Sequence, residues 1–260
     1  MPSGSNTGSD VLMSVSVVTA AARPDLADRA DVETGAAMPE FLKHGDTSSR
    51  LWGRLYEQHG DLQFVLYDED ADEVLGEGNT IHCSWDGSVA GLPGGVDDVL
   101  EKAFTSDVEP NTSCALYVSI IGTPHGRGLS RAALRAMGRF AVERGLGALI
   151  VPARPTWKSR YPLIPMERYA YWTRKDGLPF DPWIRTHVRL GAELLAVAPE
   201  SLRVTGTVAE WEQWTGMAFP ESGDYVIPRG QVPLRIDLDA DQGVYVESDV
   251  WLRHPLPEAD

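Results

Sequence analysis

The chain has 260 residues, enough to bury a sizeable core as one large domain or two small ones. Its 38 acidic and 23 basic residues give a formal charge of −15, which opposes broad contact with nucleic acid or anionic lipid and leaves a basic partner, or a locally basic pocket for an anion, as the electrostatic options. No uninterrupted apolar run reaches membrane length and no charged-then-apolar leader opens the sequence, so a soluble, cytoplasmic protein is expected.

Residues 1–11 form a polar, small-residue tail, and "VLMSVSVVTAAA" then reads as a first strand followed by the start of a short helix in "RPDLADRADV". "SSRLWGRLYEQHG" places Leu51 and Leu55 at helical spacing. Two strand-like runs, "LQFVLYDED" and "GNTIHCSW", flank the acidic stretch "EDADEVLGEG", which is read as the turn of a hairpin. After the loop "DGSVAGLPGG" comes the short helix "VDDVLEKAF", and then "SCALYVSII", the strongest strand signal in the chain.

That strand runs into "HGRGLSRAALRAMG". Leu129, Ala133, Leu134, Met137 and Ala141 make the apolar face of a helix, with Arg131, Arg135 and Arg139 opposite. "ERGLGALIVPA" ends the helix and begins another strand, giving a βαβ-like unit with adjacent parallel strands. Residues 153–183 are rich in proline and aromatics, and include a short helix beginning near Pro165. A helix opening at Asp181 and Pro182 follows, then a strand, a second strand with another short helix in "SLRVTGTVAEWEQWTG", and a closing hairpin with its turn at "DADQG". The pattern is mixed α/β, with residues 12–260 expected as one domain that carries the aromatic insert and a C-terminal extension.

Cys83 and Cys114 form no ligand pattern and sit in apolar stretches, so both are expected as buried thiols and no metal site is expected. HExxH, GxxxxGK[ST] and GxSxG are absent. The glycine loop lacks the third glycine of a dinucleotide fingerprint, since Arg131 stands there. Two readings remain: a structural turn, or an anion cradle in which glycines let amides at a helix N-terminus point at a pyrophosphate.

The stretch His125-Gly126-Arg127-Gly128-Leu129-Ser130 resembles motif A of the GNAT acetyltransferase superfamily, Q/R-x-x-G-x-G/A, with His125 and Ser130 departing from it. The order of elements over roughly residues 12–200 matches that family, whereas the last sixty residues match only through the closing hairpin. The resemblance implies a GNAT-like fold with a central twisted mixed sheet. It also implies an acyl-coenzyme A co-substrate, most simply acetyl-coenzyme A, held by His125, Gly126, Arg127, Gly128, Leu129, Ser130 and Arg131. Its pantetheine would lie where the fourth and fifth strands splay, and an amine would attack the thioester from the other side.

The family's usual acid is a tyrosine four residues before a helix-ending glycine. His187, four residues before Gly191, occupies that position and keeps acid–base capacity. Oxyanion donors are implied among the amides of Val118 to Gly122. Strand alternation sets Cys114, Leu116, Val118 and Ile120 on one face and Ala115, Tyr117, Ser119 and Ile121 on the other, with no carboxylate on that strand. Tyr117 or Ser119 is then a candidate to orient the acceptor or a water, and His82 on the neighbouring hairpin is a further candidate. Arg127, Arg131 and Arg135 are candidates for the phosphates, and Lys158 and Arg160 for the 3′-phosphate or an acidic acceptor. Trp157, Tyr161, Tyr169, Trp172 and Trp183 are candidates for an acceptor wall, against plain core packing.

The expected function is N-acyl transfer to a small-molecule amine. The alternatives are a non-catalytic module that binds acyl-coenzyme A or an acyl carrier protein, and an enzyme acting on, and decarboxylating, carrier-bound acyl groups. A homodimer paired through sheet edges or late strands is the default assembly.

Overall fold

The computed structural model describes residues 15–36, 38–121 and 128–258. The chain runs β1 (Val15–Thr19), α1 (Pro24–Gly35), a 3-10 turn at Glu40–His44, α2 (Ser48–His59), β2 (Gln63–Asp68) and β3 (Glu73–Cys83), then α3 (Val96–Thr105), β4 (Thr112–Ile120), α4 (Leu129–Glu143) and β5 (Ala148–Ala153). Beyond it lie the short α5 (Met166–Tyr169), α6 (Pro182–Arg189), β6 (Glu193–Gly206), α7 (Val208–Thr215), β7 (Gly223–Tyr225), β8 (Leu234–Asp237) and β9 (Gln242–His254).

Among the described residues, nine strands form one sheet in the order β1-β2-β3-β4-β5-β9-β8-β7, with β6 also paired to β9. The sheet is mixed: β4 and β5 are parallel, and the other named pairs are antiparallel. The expected βαβ unit is therefore present, because the apolar stripe Ala133, Leu134, Met137 and Ala141 drives α4 down onto the two strands it joins. α4 and α6 cover one sheet face through the core around Phe64, Ala115, Leu134, Met137 and Ile184. The other face is covered by α2 and α3 through Leu51, Leu55, Val99, Leu100 and Trp251.

Two local features depart from the sequence reading. β3 begins at Glu73, so the turn of the first hairpin is only residues 69–72 and most of "EDADEVLGEG" is strand. Gly76 and Gly78 stand there because β3 is closely approached. A β-carbon on Gly76 would collide with the Ser119 carbonyl, and one on Gly78 with the Phe64 ring and Met137 of α4. The second departure lies in β4, where the register with β3 shifts between Asn79↔Tyr117 and Thr80↔Ala115, leaving Leu116 as the extra residue of a bulge. The bulge breaks simple alternation. Val118 and Ile120 join Ala115 on the α4 face, while Leu116 packs with Cys114 on the α2–α3 face, where Tyr117 meets Trp52 of α2 edge to face at 6.3 Å.

The segments read as two strands around Pro199 are one bulged strand, β6. The helix expected near Pro165 is a single turn, after which Thr173 and Pro179 bridge to one another.

Candidate active site

β4 pairs with β5 only through Thr112↔Ala148, Ser113↔Leu149 and Cys114↔Ile150. From Ala115 to Ile120 the β5-facing edge of β4 has no strand partner among the described residues, while β5 turns to pair with β9 through Ala153. The outward backbone groups of that edge are free to hydrogen-bond a ligand lying in the opening.

Beside this opening, on the α1–α2 face, four elements bring polar side chains together. Glu77 of β3 stands opposite Ser119 of β4. Its carboxylate accepts from the Thr34 hydroxyl of α1 and, at 3.4 Å, from the Tyr56 hydroxyl of α2, which in turn accepts from Asn79 at 2.8 Å. Tyr117, two residues before Ser119 on β4 and opposite Asn79 of β3, completes the group.

Glu77 is 7% exposed. Burial raises its pKa, helped by the charge of Asp31 and opposed by the Thr34 and Tyr56 hydrogen bonds. Burial likewise raises the pKa of Tyr117, keeping it a protonated donor. A buried carboxylate of raised basicity next to a phenol is an arrangement able to take a proton and give one. The sequence reading sought a carboxylate on β4 and missed Glu77, which reaches the same place from the paired position on β3.

His187 is brought elsewhere. It is 0% exposed on α6, with Nδ1 2.7 Å from His254 Nε2 and its ring 4.3 Å from that of Trp183. His254 pairs with Leu149, level with Ser113, so this histidine pair lies at the closed end of the β4–β5 opening and on the α4–α6 side. Burial, with His254 adding to it, pushes His187 down to about 3, and burial pushes His254 down to about 4, so both rings are neutral.

Because an unfolded histidine takes up a proton near pH 6.5, native stability is full above that pH and is lost as pH falls towards these depressed values. Between pH 7 and pH 5 the loss should be roughly 2 kcal/mol per histidine. Urea unfolding of wild type and His187→Gln/His254→Gln at the two pH values checks this. An undiminished pH slope in the double variant would remove the pair as its source.

His82 pairs with Ser113, about 17 Å along the strand from Val118 at roughly 3.3 Å per residue. It is not brought to the opening, and burial lowers it to about 4.

The cradle residues His125, Gly126 and Arg127, together with Gly122, lie outside the described residues. Gly128 caps α4 in the left-handed region at φ 68°, and its carbonyl accepts from Ala132 at 3.0 Å. Leu129 is buried, Ser130 is half-buried and Arg131 is exposed. The first-turn amides of α4 have no intrahelical acceptor and carry the positive end of the helix dipole.

The aromatic candidates pack on one another. Tyr161 lies 5.1 Å from Trp172 and 5.9 Å from Tyr169, and Trp157 is 5.5 Å from Phe180. Tyr169 is buried, whereas Trp157, Tyr161, Trp172 and Trp183 keep partial exposure. Asp181, 2% exposed, ties the block together by accepting from the backbone of Thr156, Trp157, Trp183 and Ile184 and, at 2.9 Å, from the Tyr169 hydroxyl. Lys158 cannot meet a phosphate as placed. It is wholly buried, donates to the carbonyls of Tyr161 and Gln231, and is lowered to about 8 by desolvation.

A parallel strand pair joined at one end only, with a helix packed across it in a mixed central sheet, is the arrangement of a GNAT-type fold. The chain has the fold of the GNAT proteins. It is 29% identical to the arginine N-acetyltransferase avaD of Aspergillus versicolor, over 93% of this chain and 94% of that protein. Among solved structures it is similar to the GphF GNAT-like decarboxylase in complex with isobutyryl-CoA, with a TM-score of 0.58 at 16% identity, covering 93% of this chain and all of that one. It is also similar to the loading GNATL domain of CurA from Lyngbya majuscula, with a TM-score of 0.52 at 16% identity over 87% of this chain and 93% of that one. No family model matches the chain.

Proposed function

We propose that the protein transfers an acyl group, most simply acetyl, from acyl-coenzyme A to the amine of a small molecule, and that arginine is the first acceptor to try. The observation that carries this reading is the buried Glu77 beside Ser119 and Tyr117, at the strand opening where a thioester would lie. The relative that acetylates arginine, and an acidic site suited to a cationic acceptor, support the choice of amine.

In this reading the pyrophosphate rests on the first-turn amides of α4, with Gly128 and Arg131 beside it, and pantetheine lies along the free edge of β4. The acceptor enters from the α1–α2 face, held by Ser119. Its nitrogen attacks the thioester carbonyl, a free β4 amide stabilises the oxyanion, and Glu77 takes the proton released from nitrogen. As the carbon–sulfur bond breaks, the thiolate takes a proton from Tyr117, which recovers it from Glu77. The products are the amide and free coenzyme A. The partly exposed rings of the insert remain candidates for the acceptor wall.

Calorimetric titration with acetyl-coenzyme A, combined with thiol release in the presence of arginine, tests the reading. Gly128→Pro should abolish binding, because proline cannot adopt the positive φ that Gly128 holds. Equal binding by that variant, or a folded wild type that binds no acyl-coenzyme A, would overturn it.

A further inference from the structure

Gln63 of β2 and Asn79 of β3 are 0% and 1% exposed, and amides buried this deeply are costly unless hydrogen-bonded. Their bonds run in one direction. Gln63 Nε2 donates to the carbonyls of His59, at the end of α2, and of Thr80, at 2.9 and 3.0 Å. A carbonyl cannot donate, so this amide cannot be turned round. Gln63 Oε1 therefore faces the other way, where it accepts from the Thr80 N–H and from Asn79 Nδ2, both at 3.2 Å. Asn79 Nδ2 also donates to the Tyr56 hydroxyl, at 2.8 Å. The Tyr56 oxygen is thereby an acceptor from Asn79, and its own proton is left for Glu77 Oε2, 3.4 Å away. Two backbone carbonyls thus fix, through two amides and a phenol, the direction in which a proton points at the carboxylate. The other oxygen, Oε1, accepts from the Thr34 hydroxyl, so α1 and α2 each hold one oxygen of Glu77.

We infer that Tyr56 is a positioning residue for Glu77: its hydroxyl, turned by Asn79 and Gln63, holds one carboxylate oxygen in place and favours the ionised form, setting the pH above which Glu77 can act as a base. The inference rests on the reading of Glu77 as general base given above. Burial and the charge of Asp31 on α1 raise Glu77, and the hydroxyls of Thr34 and Tyr56 lower it. At the positions paired with Glu77, β2 presents Val65 and β4 presents Ser119, neither of which titrates. Tyr117 of β4 is the remaining titratable neighbour, and burial keeps it protonated. A hydroxyl donates more strongly to a carboxylate than to a carboxylic acid. Tyr56 therefore keeps Glu77 from being trapped in its protonated form, and it needs no contact with the acceptor to do so.

The test compares the full chain with Tyr56→Phe and Asn79→Ala by two readouts. In thiol release from acetyl-coenzyme A with arginine, the limb of kcat that rises with pH should move up by roughly 0.5 to 1 pH unit in Tyr56→Phe, with the plateau and the KM for acetyl-coenzyme A within about threefold of wild type. Asn79→Ala keeps the phenol but frees it to turn, so its limb should move the same way by less. A residue that only packs would lower the plateau and leave the limb in place, and an unmoved or lowered limb in Tyr56→Phe overturns the inference. The second readout needs no turnover: the side-chain carboxyl carbon resonance of Glu77, assigned with Glu77→Gln, is titrated without substrate. Its midpoint should rise in Tyr56→Phe as the rate limb does, and an unmoved midpoint overturns the inference. Tyr56→Phe keeps the ring and its packing, so it decides the matter even where Asn79→Ala fails to fold. If no amine is acylated, or if Glu77→Gln keeps the wild-type rate profile, the base reading fails, and the carboxyl titration alone decides whether Tyr56 holds Glu77.

Discussion

Glu77→Gln should lower kcat by about 10²- to 10⁴-fold, the usual contribution of a positioned general base, while acetyl-coenzyme A binding stays unchanged. The reason is geometric: the carboxylate sits on the face opposite α4, whose first turn is the proposed seat of the donor's pyrophosphate. Burial has raised its pKa, so the wild-type rate should climb with pH through that raised value, and the variant should lose this limb.

Stability should move the opposite way. A carboxyl whose folded pKa is raised contributes stability that is complete below the unfolded pKa and lost as pH rises through the folded one. Glutamine carries no such penalty, so the melting temperature of the variant should gain on wild type as pH increases. A variant with a normal rate profile would exclude Glu77 as the base, whatever its effect on stability.

Asp181→Ala should be the most destabilising single change in the insert, at about 4 kcal/mol. Four backbone amides and the Tyr169 hydroxyl lose one shared acceptor in a buried setting, and each buried donor left unsatisfied costs about 1–3 kcal/mol, with partial relief by relaxation. Thermal unfolding should show a fall of roughly 10 °C. A loss below about 1 kcal/mol would mean that the aromatic block holds itself together by ring packing alone. Asp181→Asn, which keeps one acceptor oxygen, should fall between the two.

The frame of the fold was legible in the sequence wherever one periodicity held for a whole element. "SCALYVSII", the stripe from Leu129 to Ala141 and "GALIVPA" each show one, and they gave the strand–helix–strand unit that creates the opening. What was hidden depended on contacts distant in sequence. Gly76 and Gly78 read as turn residues, since glycine is ordinarily punctuation, yet they are strand positions kept bare by Ser119, Phe64 and Met137. Misreading them concealed that Glu77 lies in a strand and faces Ser119. Alternating small residues within an otherwise strand-like "EVLGEGNTIHC" were the available signal.

The Leu116 bulge was equally invisible, because a register shift belongs to a strand pair and has no mark in one strand alone. For His187 the position on α6 followed from the sequence, but its partner His254 lies 67 residues away, and that partner fixes both its orientation and its neutrality.

β9 has a bearing on how the molecule is made. It is the last strand in chain order among the described residues, yet it occupies the interior of the sheet, pairing with β6 along one side and with β5 and then β8 along the other. During synthesis β1 to β4 can pair as soon as they emerge, whereas β5 and β6 must wait, with apolar edges unmatched, until residues 242–254 have left the ribosome. Such late, long-range closure is slow and prone to association between nascent chains. A stop codon between β5 and β9 should therefore yield a product that aggregates, even though every residue of the Glu77 cluster has already been translated.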